Sequence, residues 1–134
     1  MNLKQSHVEE MFAHAKAEYP NEACGILAGR DKKAERVYKM TNQDKSPESY
    51  FMDSKEQFRV MKEIRKNGWE LLGIYHSHIA SPARPSQRDM DMAFYSDAVY
   101  LIISLSDWDN PAIKAFKIQE GKVEEEELKI DRNQ

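Results

Sequence analysis

Apolar residues recur along the chain with two different spacings, which separate predicted helices from predicted strands. Residues 3–18 carry an apolar residue every three to five positions among strong helix formers, and this spacing predicts an amphipathic helix. Pro20 ends this helix, because proline disfavours helical geometry in the residue before it. Residues 54–67 repeat the helical spacing after Asp53 or Ser54, either of which can cap the first turn. The expected buried positions of this second helix are Phe58, Met61 and Ile64 or Arg65.

Short apolar or alternating runs predict the strands, and segments rich in proline and polar residues predict the loops. The expected strands are 23–28, 34–40, 50–52, 71–77, 100–105, 112–118 and 123–130. Residues 86–95 predict a third, short helix, and residues 42–49 and 79–85 predict loops. Helices are interleaved with strands and the chain ends in strands. This order predicts an α/β (α+β) domain built on one mixed sheet.

Length and composition fit one soluble domain over residues 1–134, with 40% hydrophobic and 32% charged residues. The formal net charge of −3 provides no broad basic field, so we expect no nucleic-acid partner. The amino terminus lacks the apolar core of a signal peptide, and no window approaches the roughly 20 apolar residues of a membrane span. We therefore expect a cytoplasmic protein without a membrane partner. Cys24 has no second cysteine to pair with, and we expect it to be a small buried strand residue.

Two histidines stand two residues apart at the end of a predicted strand. Side chains at such positions share one face of the strand, so His76 and His78 can reach one metal ion. Zinc binds imidazole nitrogen at about 2.0–2.1 Å. Taken alone, however, such a pair is more typical of a solvated or hydrogen-bonded strand end than of a metal site.

A serine and an aspartate follow, three residues apart, at the start of the third predicted helix. Ser86 suits the N-cap position and Asp89 is the acidic residue favoured in a first turn. This capping interpretation does not exclude a metal-ligand role for Asp89, because a capped helix is also a rigid platform for a ligand.

The combination of these residues is specific. His76-x-His78, seven residues at 79–85, and then Ser86-x-x-Asp89 resembles the JAMM motif of the MPN-domain metallopeptidases, His-x-His-x7-Ser-x2-Asp. Residues 21–27 look like the early strand of that family, with its glutamate at Glu22. The resemblance spans nearly the whole chain. It implies a partly barrel-like mixed sheet with cytidine-deaminase-like architecture, flanked by two main helices and one short helix.

The resemblance also implies roles for individual residues. His76, His78 and Asp89 match the three protein ligands of one Zn2+ per chain, Glu22 matches the general acid/base, and Ser86 matches the residue that stabilises the oxyanion. Such a site hydrolyses an amide bond with zinc-activated water. One departure is Ile79, where many relatives have proline or threonine; this position lies in the substrate-side loop and is not a metal ligand.

The family implies a substrate class as well. Its members act on the tails of ubiquitin-like proteins, and this short chain looks most like the branch that trims small sulfur-carrier proteins. Those carriers end in Gly-Gly, and the branch removes an amino acid, often cysteine, or a tail extension. The expected partner is therefore the tail of a ubiquitin-like or sulfur-carrier protein, while the oligomeric state is not indicated.

Other functions fit the sequence less well. A non-catalytic MPN scaffold is the alternative, although such relatives usually lack the ligands that this chain retains. Zinc deaminases share a similar sheet but require a Pro-Cys-x-x-Cys element, which Cys24 alone cannot supply. The DNA-repair-associated branch with the same motif normally carries an additional helical domain.

Overall fold

A computed structural model describes residues 1–132. Three helices lie in this range: α1 (Gln5–Glu18), α2 (Ser54–Lys66) and α3 (Gln87–Asp91). The strands are β1 (Asn2–Lys4), β2 (Cys24–Arg30), β3 (Lys33–Met40), β4 (Glu70–His78), β5 (Val99–Ser104), β6 (Ala112–Gln119), β7 (Lys122–Glu126) and β8 (Lys129–Asp131). The expected two main helices and one short helix are therefore confirmed.

The strands within residues 1–132 form one mixed sheet in the order β7-β6-β5-β4-β2-β3-β1-β8. β4 runs parallel to β5, β1 runs parallel to β3 and β8, and the other neighbours are antiparallel. The edge strands β7 and β8 are separated in the chain only by Glu127 and Leu128. Such a link spans at most about 11 Å, so the sheet curls to bring its two edges together. The partly barrel-like mixed sheet expected from the sequence is confirmed.

Apolar side chains cover both faces of the sheet, since successive strand residues point to opposite sides. On one face, Leu101 of β5 packs in a cluster that includes Met11 of α1. On the other face, Ile102 packs in a cluster that includes Val60 and Ile64 of α2. Full burial of one such side chain contributes roughly 1.5–3 kcal/mol, so these clusters supply a large part of the driving force for folding. They also hold β4 rigidly in the middle of the sheet.

The first and third helices differ at their ends from the sequence prediction. Residues 2–4 form β1 and not the first helical turn, because they pair with β8 and place Leu3 opposite Ile130. The third helix ends at Asp91, short of the expected residue 95. The backbone amide of Tyr95 donates to the hydroxyl of Tyr100, so it does not continue the helical ladder. Tertiary contacts outweigh the local preference at both places.

Three smaller expectations were wrong. Phe58 is 65% exposed, whereas Val60 and Ile64 form the buried stripe of α2, because residues four apart lie on one helical face. The segment 50–52 contributes only an isolated bridge between Asn42 and Met52. The predicted final strand 123–130 is divided into β7 and β8, which pair at opposite edges of the sheet.

Gly25 provides a test of the packing between β2 and β4. It lies directly opposite Tyr75, and a Cβ at Gly25 would overlap the buried ring of that tyrosine. We expect Gly25→Ala to lower the free energy of unfolding by about 1–3 kcal/mol, the usual cost of overpacking a core. Urea denaturation measures this change. Gly121→Asn is the control, since nothing lies within 4 Å of a Cβ there and asparagine tolerates the φ of 76°. If the free energy of unfolding of Gly25→Ala equals that of the wild type, the packing of Gly25 against Tyr75 is not as described.

Candidate active site

The pairing of β2 with β4 sets the arrangement of the site. The backbone amide of Ser77 donates to the carbonyl of Ala23 at 3.0 Å, and the amide of Ala23 donates to the Ser77 hydroxyl at 2.8 Å. The register of the two strands, continued by two residues beyond the Cys24–His76 pair, places Glu22 opposite His78. Directly opposed residues project to one face of a sheet, and His76 projects to that same face. Glu22 and both histidines therefore face the same side of the sheet.

Three potential ligand residues converge at the end of β4. The Nε2 atoms of His76 and His78 are 3.3 Å apart. Asp89 places Oδ1 3.1 Å from His76 Nε2 and Oδ2 2.9 Å from His78 Nε2. Both histidines are buried, with only 1% of His76 exposed. The residues that the sequence motif groups together thus meet in space.

The donor set fits a tetrahedral zinc ion. Four ligands at about 2.0–2.1 Å from zinc lie about 3.3–3.4 Å from one another, close to the separation of the two Nε2 atoms. His78 Nδ1 donates to the carbonyl of Pro82 at 2.9 Å, because a carbonyl oxygen can only accept. In neutral His78 this bond leaves the Nε2 lone pair directed at the cluster, as a metal-binding histidine requires. Two imidazoles and one carboxylate would leave a fourth position open, which is typical of catalytic zinc.

Asp89 is fixed by the helix that carries it. Its backbone amide donates to Ser86 Oγ at 3.1 Å, while its Oδ2 accepts the backbone amide of Ser86 at 2.9 Å. This reciprocal pair is a capping box, so the capping interpretation holds while the same carboxylate reaches the histidines. Burial would raise the pKa of Asp89, but hydrogen bonds with His76 and His78 outweigh burial and hold that pKa well below its usual range.

Tyr50 is a member of the site that sequence reasoning missed. Its ring stacks on the imidazole of His76 with centroids 4.7 Å apart and an interplanar angle of 23°. His76 Nδ1 is buried without a hydrogen-bond partner among residues 1–132, so stacking replaces the hydrogen bond that holds His78. The only signal in the sequence was a tyrosine at the end of a polar loop, which points to no particular contact.

Glu22 is buried, with 4% of its surface exposed. Burial is the main reason that the pKa of its carboxyl is raised to about 8; the neighbouring His78 lowers this pKa, and the negative charge of Asp89 raises it. A carboxyl with such a pKa can hold or release a proton near neutral pH, which suits a general acid/base.

Glu22 opens onto a cavity of about 380 Å³ beside the cluster. The residues that line it are Glu22, Pro47, Glu48, His78, Ile79, Ala80, Ser81 and Ser86. The cavity therefore joins Glu22, one member of the histidine–aspartate cluster and Ser86. All five site residues expected from the sequence lie around this cavity or in direct contact with His78.

A curled mixed sheet with a few helices is the architecture that this chain shares with JAB/MPN proteins, and the histidine–aspartate cluster lies at the end of its central strand β4. The family model that describes the prokaryotic homologs of the JAB domain matches residues 4–119 of this chain. The chain belongs to this family, and the resemblance to its JAMM-type prokaryotic branch is confirmed.

Relatives of known name include peptidases and proteases. The CysO-cysteine peptidase of Mycobacterium tuberculosis is 38% identical over 130 residues, which cover 96% of this chain and 89% of that protein. A probable TtuB-protein conjugate cleaving protease of Thermus thermophilus is 35% identical, covering 86% and 74% of the two chains. A solution structure of a Desulfitobacterium hafniense protein has a TM-score of 0.90 at 47% identity, covering 98% and 92%. The names of the two relatives support the classification of this chain as a hydrolase.

None of the helices within residues 1–132 has the length and apolar character needed to cross a membrane.

The stacking of Tyr50 on His76 predicts an effect on metal affinity. We expect Tyr50→Ala to weaken zinc binding about tenfold, since loss of groups that orient a metal ligand usually costs 10–100-fold. Tyr50→Phe keeps the ring and should bind as the wild type does. Phe51→Ala is the matched control, because this neighbouring ring is exposed. Competition with a chelating indicator measures the affinities, and equal values for Tyr50→Ala and wild type would show that the stacking does not hold His76.

The raised pKa of Glu22 predicts how the stability of the metal-free protein depends on pH. Burial raises this pKa from an ordinary value of 4.5 to about 8. Between these values the unfolded chain has lost a proton that the folded chain retains, so raising the pH lowers the free energy of unfolding. This contribution is complete below about pH 4.5 and is lost as the pH rises through about 8.

Urea denaturation of metal-free wild type and Glu22→Gln across this range isolates the contribution. We expect the stability of the wild type relative to the variant to fall steadily with rising pH. Parallel curves for the two proteins would mean that Glu22 ionises in the folded chain as it does in water.

Proposed function

We propose that this chain is a zinc-dependent peptidase or isopeptidase that hydrolyses the amide bond after the C-terminal Gly-Gly of a ubiquitin-like or sulfur-carrier protein. The observation that carries the proposal is the convergence of the His76, His78 and Asp89 ligand atoms beside a cavity that also contains Glu22. Family membership and the peptidase names of the relatives support it.

His76 Nε2, His78 Nε2 and the Asp89 carboxylate would hold the ion. Bound zinc supplies Lewis-acid chemistry that polarises a carbonyl and makes water acidic enough to ionise near neutral pH. The Pro82 carbonyl keeps His78 in the tautomer that offers Nε2, and Tyr50 holds the ring of His76.

Glu22 would act as the proton carrier. It accepts a proton from the attacking water and returns it to the amine that leaves when the carbon–nitrogen bond breaks. A cation at the neighbouring cluster would lower its pKa from about 8 towards neutrality, because opposite charge favours the ionised form. Its burial keeps bulk water away from the transferred proton.

Ser86 would stabilise the oxyanion that forms when water adds to the carbonyl. Its Oγ accepts the amide of Asp89, which leaves the hydroxyl hydrogen available to donate into the cavity. A donor of this kind is typically worth about 2.7–4 kcal/mol in the transition state.

The names of the relatives and the cavity beside Glu22 support the proposed substrate class. One relative is named a CysO-cysteine peptidase and another a probable TtuB-protein conjugate cleaving protease, and both names fit hydrolysis of a bond that joins a protein to an added group. The cavity of about 380 Å³ beside Glu22 has room for a small leaving group such as one amino acid or a lysine side chain.

The test is cleavage of two substrates by the zinc-loaded protein. One is a Gly-Gly-tailed sulfur-carrier protein extended by cysteine, and the other is the same tail joined to a lysine ε-amine. We expect wild type to release the leaving group from at least one of them, read by intact mass, and Glu22→Gln to retain zinc while its turnover falls to a small residual rate.

Glu48→Gln is the matched control, because Glu48 lines the same cavity but lies outside the proposed proton path. It should cleave as the wild type does. One zinc per chain without cleavage of either substrate would contradict the proposed substrate class. Absence of zinc binding would contradict the proposed hydrolase and favour a non-catalytic scaffold.

A further inference from the structure

The segment between β3 and α2 touches both halves of the candidate site. We call residues 42–52 the Asn42 loop. The backbone amide of Glu22 donates to the carbonyl of Ser46 at 2.9 Å, and the carbonyl of Glu22 accepts from Asn42 Nδ2 at 3.0 Å. At the other side of the loop, Tyr50 stacks on His76. One short segment therefore holds the main chain of Glu22 and the ring of a candidate metal ligand.

Asn42 organises this loop from its interior. The side chain is 4% exposed. Its Nδ2 also donates to the carbonyl of Ser49 at 3.0 Å, while Oδ1 accepts the backbone amides of Asp44 and Phe51, each at 3.0 Å. Two carbonyls on the nitrogen and two amides on the oxygen fix the orientation of the side-chain amide. The hydrogen-bonding capacity of a buried asparagine is thus filled by backbone groups.

The side chain of Glu22 has no comparable support. Its Oε1 is buried and has no hydrogen-bond partner within residues 1–132. The position of the carboxyl must then come from the main chain that carries it. The backbone amide and the carbonyl of Glu22 are both hydrogen-bonded to the Asn42 loop. Glu22 itself precedes β2, which begins at Cys24, so this loop holds it and the strand ladder does not.

We propose that Asn42 is a positioning residue that acts through Glu22. It fixes the peptide of Glu22 against the same loop that carries Tyr50, and so keeps the carboxyl aligned with the histidine–aspartate cluster. Asn42 does not line the cavity beside Glu22. The inference rests on the proposed role of Glu22 as the proton carrier. Misplacement of a reacting group by about 1 Å can cost about 10²-fold in rate, so loss of this support should be visible in turnover.

The first test is a double-mutant cycle with the zinc-loaded protein. We expect Asn42→Ala to lower kcat about 10²-fold at saturating zinc while KM stays within about twofold. In a Glu22→Gln background, the same substitution should cause no further loss, because groups that act as a unit are not additive. Equal losses in both backgrounds would overturn the proposal, since a purely structural role would persist without Glu22.

Two further variants accompany the double-mutant cycle. Thr41→Val is the matched control, because Thr41 precedes the loop and its hydroxyl bonds Glu56 of α2. It should leave kcat unchanged. Asn42→Asp keeps the shape and the acceptor oxygen but removes the donor to the Glu22 carbonyl. It replaces Asn42→Ala in the kcat measurement if Asn42→Ala does not fold. A wild-type kcat in Asn42→Asp would overturn the proposal.

The second test does not need enzymatic activity. Hydrogen exchange of the Glu22 backbone amide, followed by NMR, reports directly on its bond to Ser46. We expect this exchange to be at least about tenfold faster in the Asn42 variants and unchanged in Thr41→Val. Unchanged exchange in the Asn42 variants would overturn the positioning role. If the wild type cleaves neither substrate, the proposed function fails, whereas this measurement still decides whether Asn42 holds Glu22.

Discussion

The register between β2 and β4 is the constraint on which the candidate site depends. Side chains alternate along a strand, so a slip by one residue would turn the histidine pair towards α1 and away from the glutamate. Two hydrogen bonds between Ala23 and Ser77 fix the register at the end of the strands. Gly25 adds a steric constraint, because it leaves room for the ring of Tyr75. The Tyr75 hydroxyl in turn lies 2.7 Å from His14 Nδ1, which connects this strand pair to α1.

The site concentrates ionisable groups in a small protein, and this has an energetic cost. A buried carboxylate is destabilising unless it is paired and hydrogen-bonded. Asp89 meets that condition through both histidines and the amide of Ser86, whereas Glu22 is left without a partner for Oε1. The unpaired group is the one assigned to proton transfer, where a raised pKa is useful. A cation bound by the cluster would compensate the buried negative charge, so metal binding and folding should stabilise one another.

Local patterns in the sequence predicted what depends on nearby residues. The spacing of His76 and His78 on one strand and the capping box that presents Asp89 are features of short segments, and so is the run of strands that forms the sheet. The approach of Glu22 depends on strand pairing across the chain, and its role came only from the family resemblance. Tyr50 was assigned to a short strand, but the segment is a loop whose shape is set by buried hydrogen bonds. The end of the third helix also depends on a contact outside the helix, from the backbone amide of Tyr95 to the hydroxyl of Tyr100 in β5.

The most direct measurement of the central claim is X-ray absorption at the zinc edge, with metal content determined on the same zinc-loaded protein. The account predicts one zinc per chain with a first shell of about four nitrogen and oxygen atoms at about 2.0–2.1 Å, and multiple scattering from two imidazoles. His78→Ala should lose one imidazole from this shell. A sulfur ligand at about 2.3 Å, which would implicate Cys24, or a shell without imidazole would contradict the assignment of His76, His78 and Asp89 as the metal site.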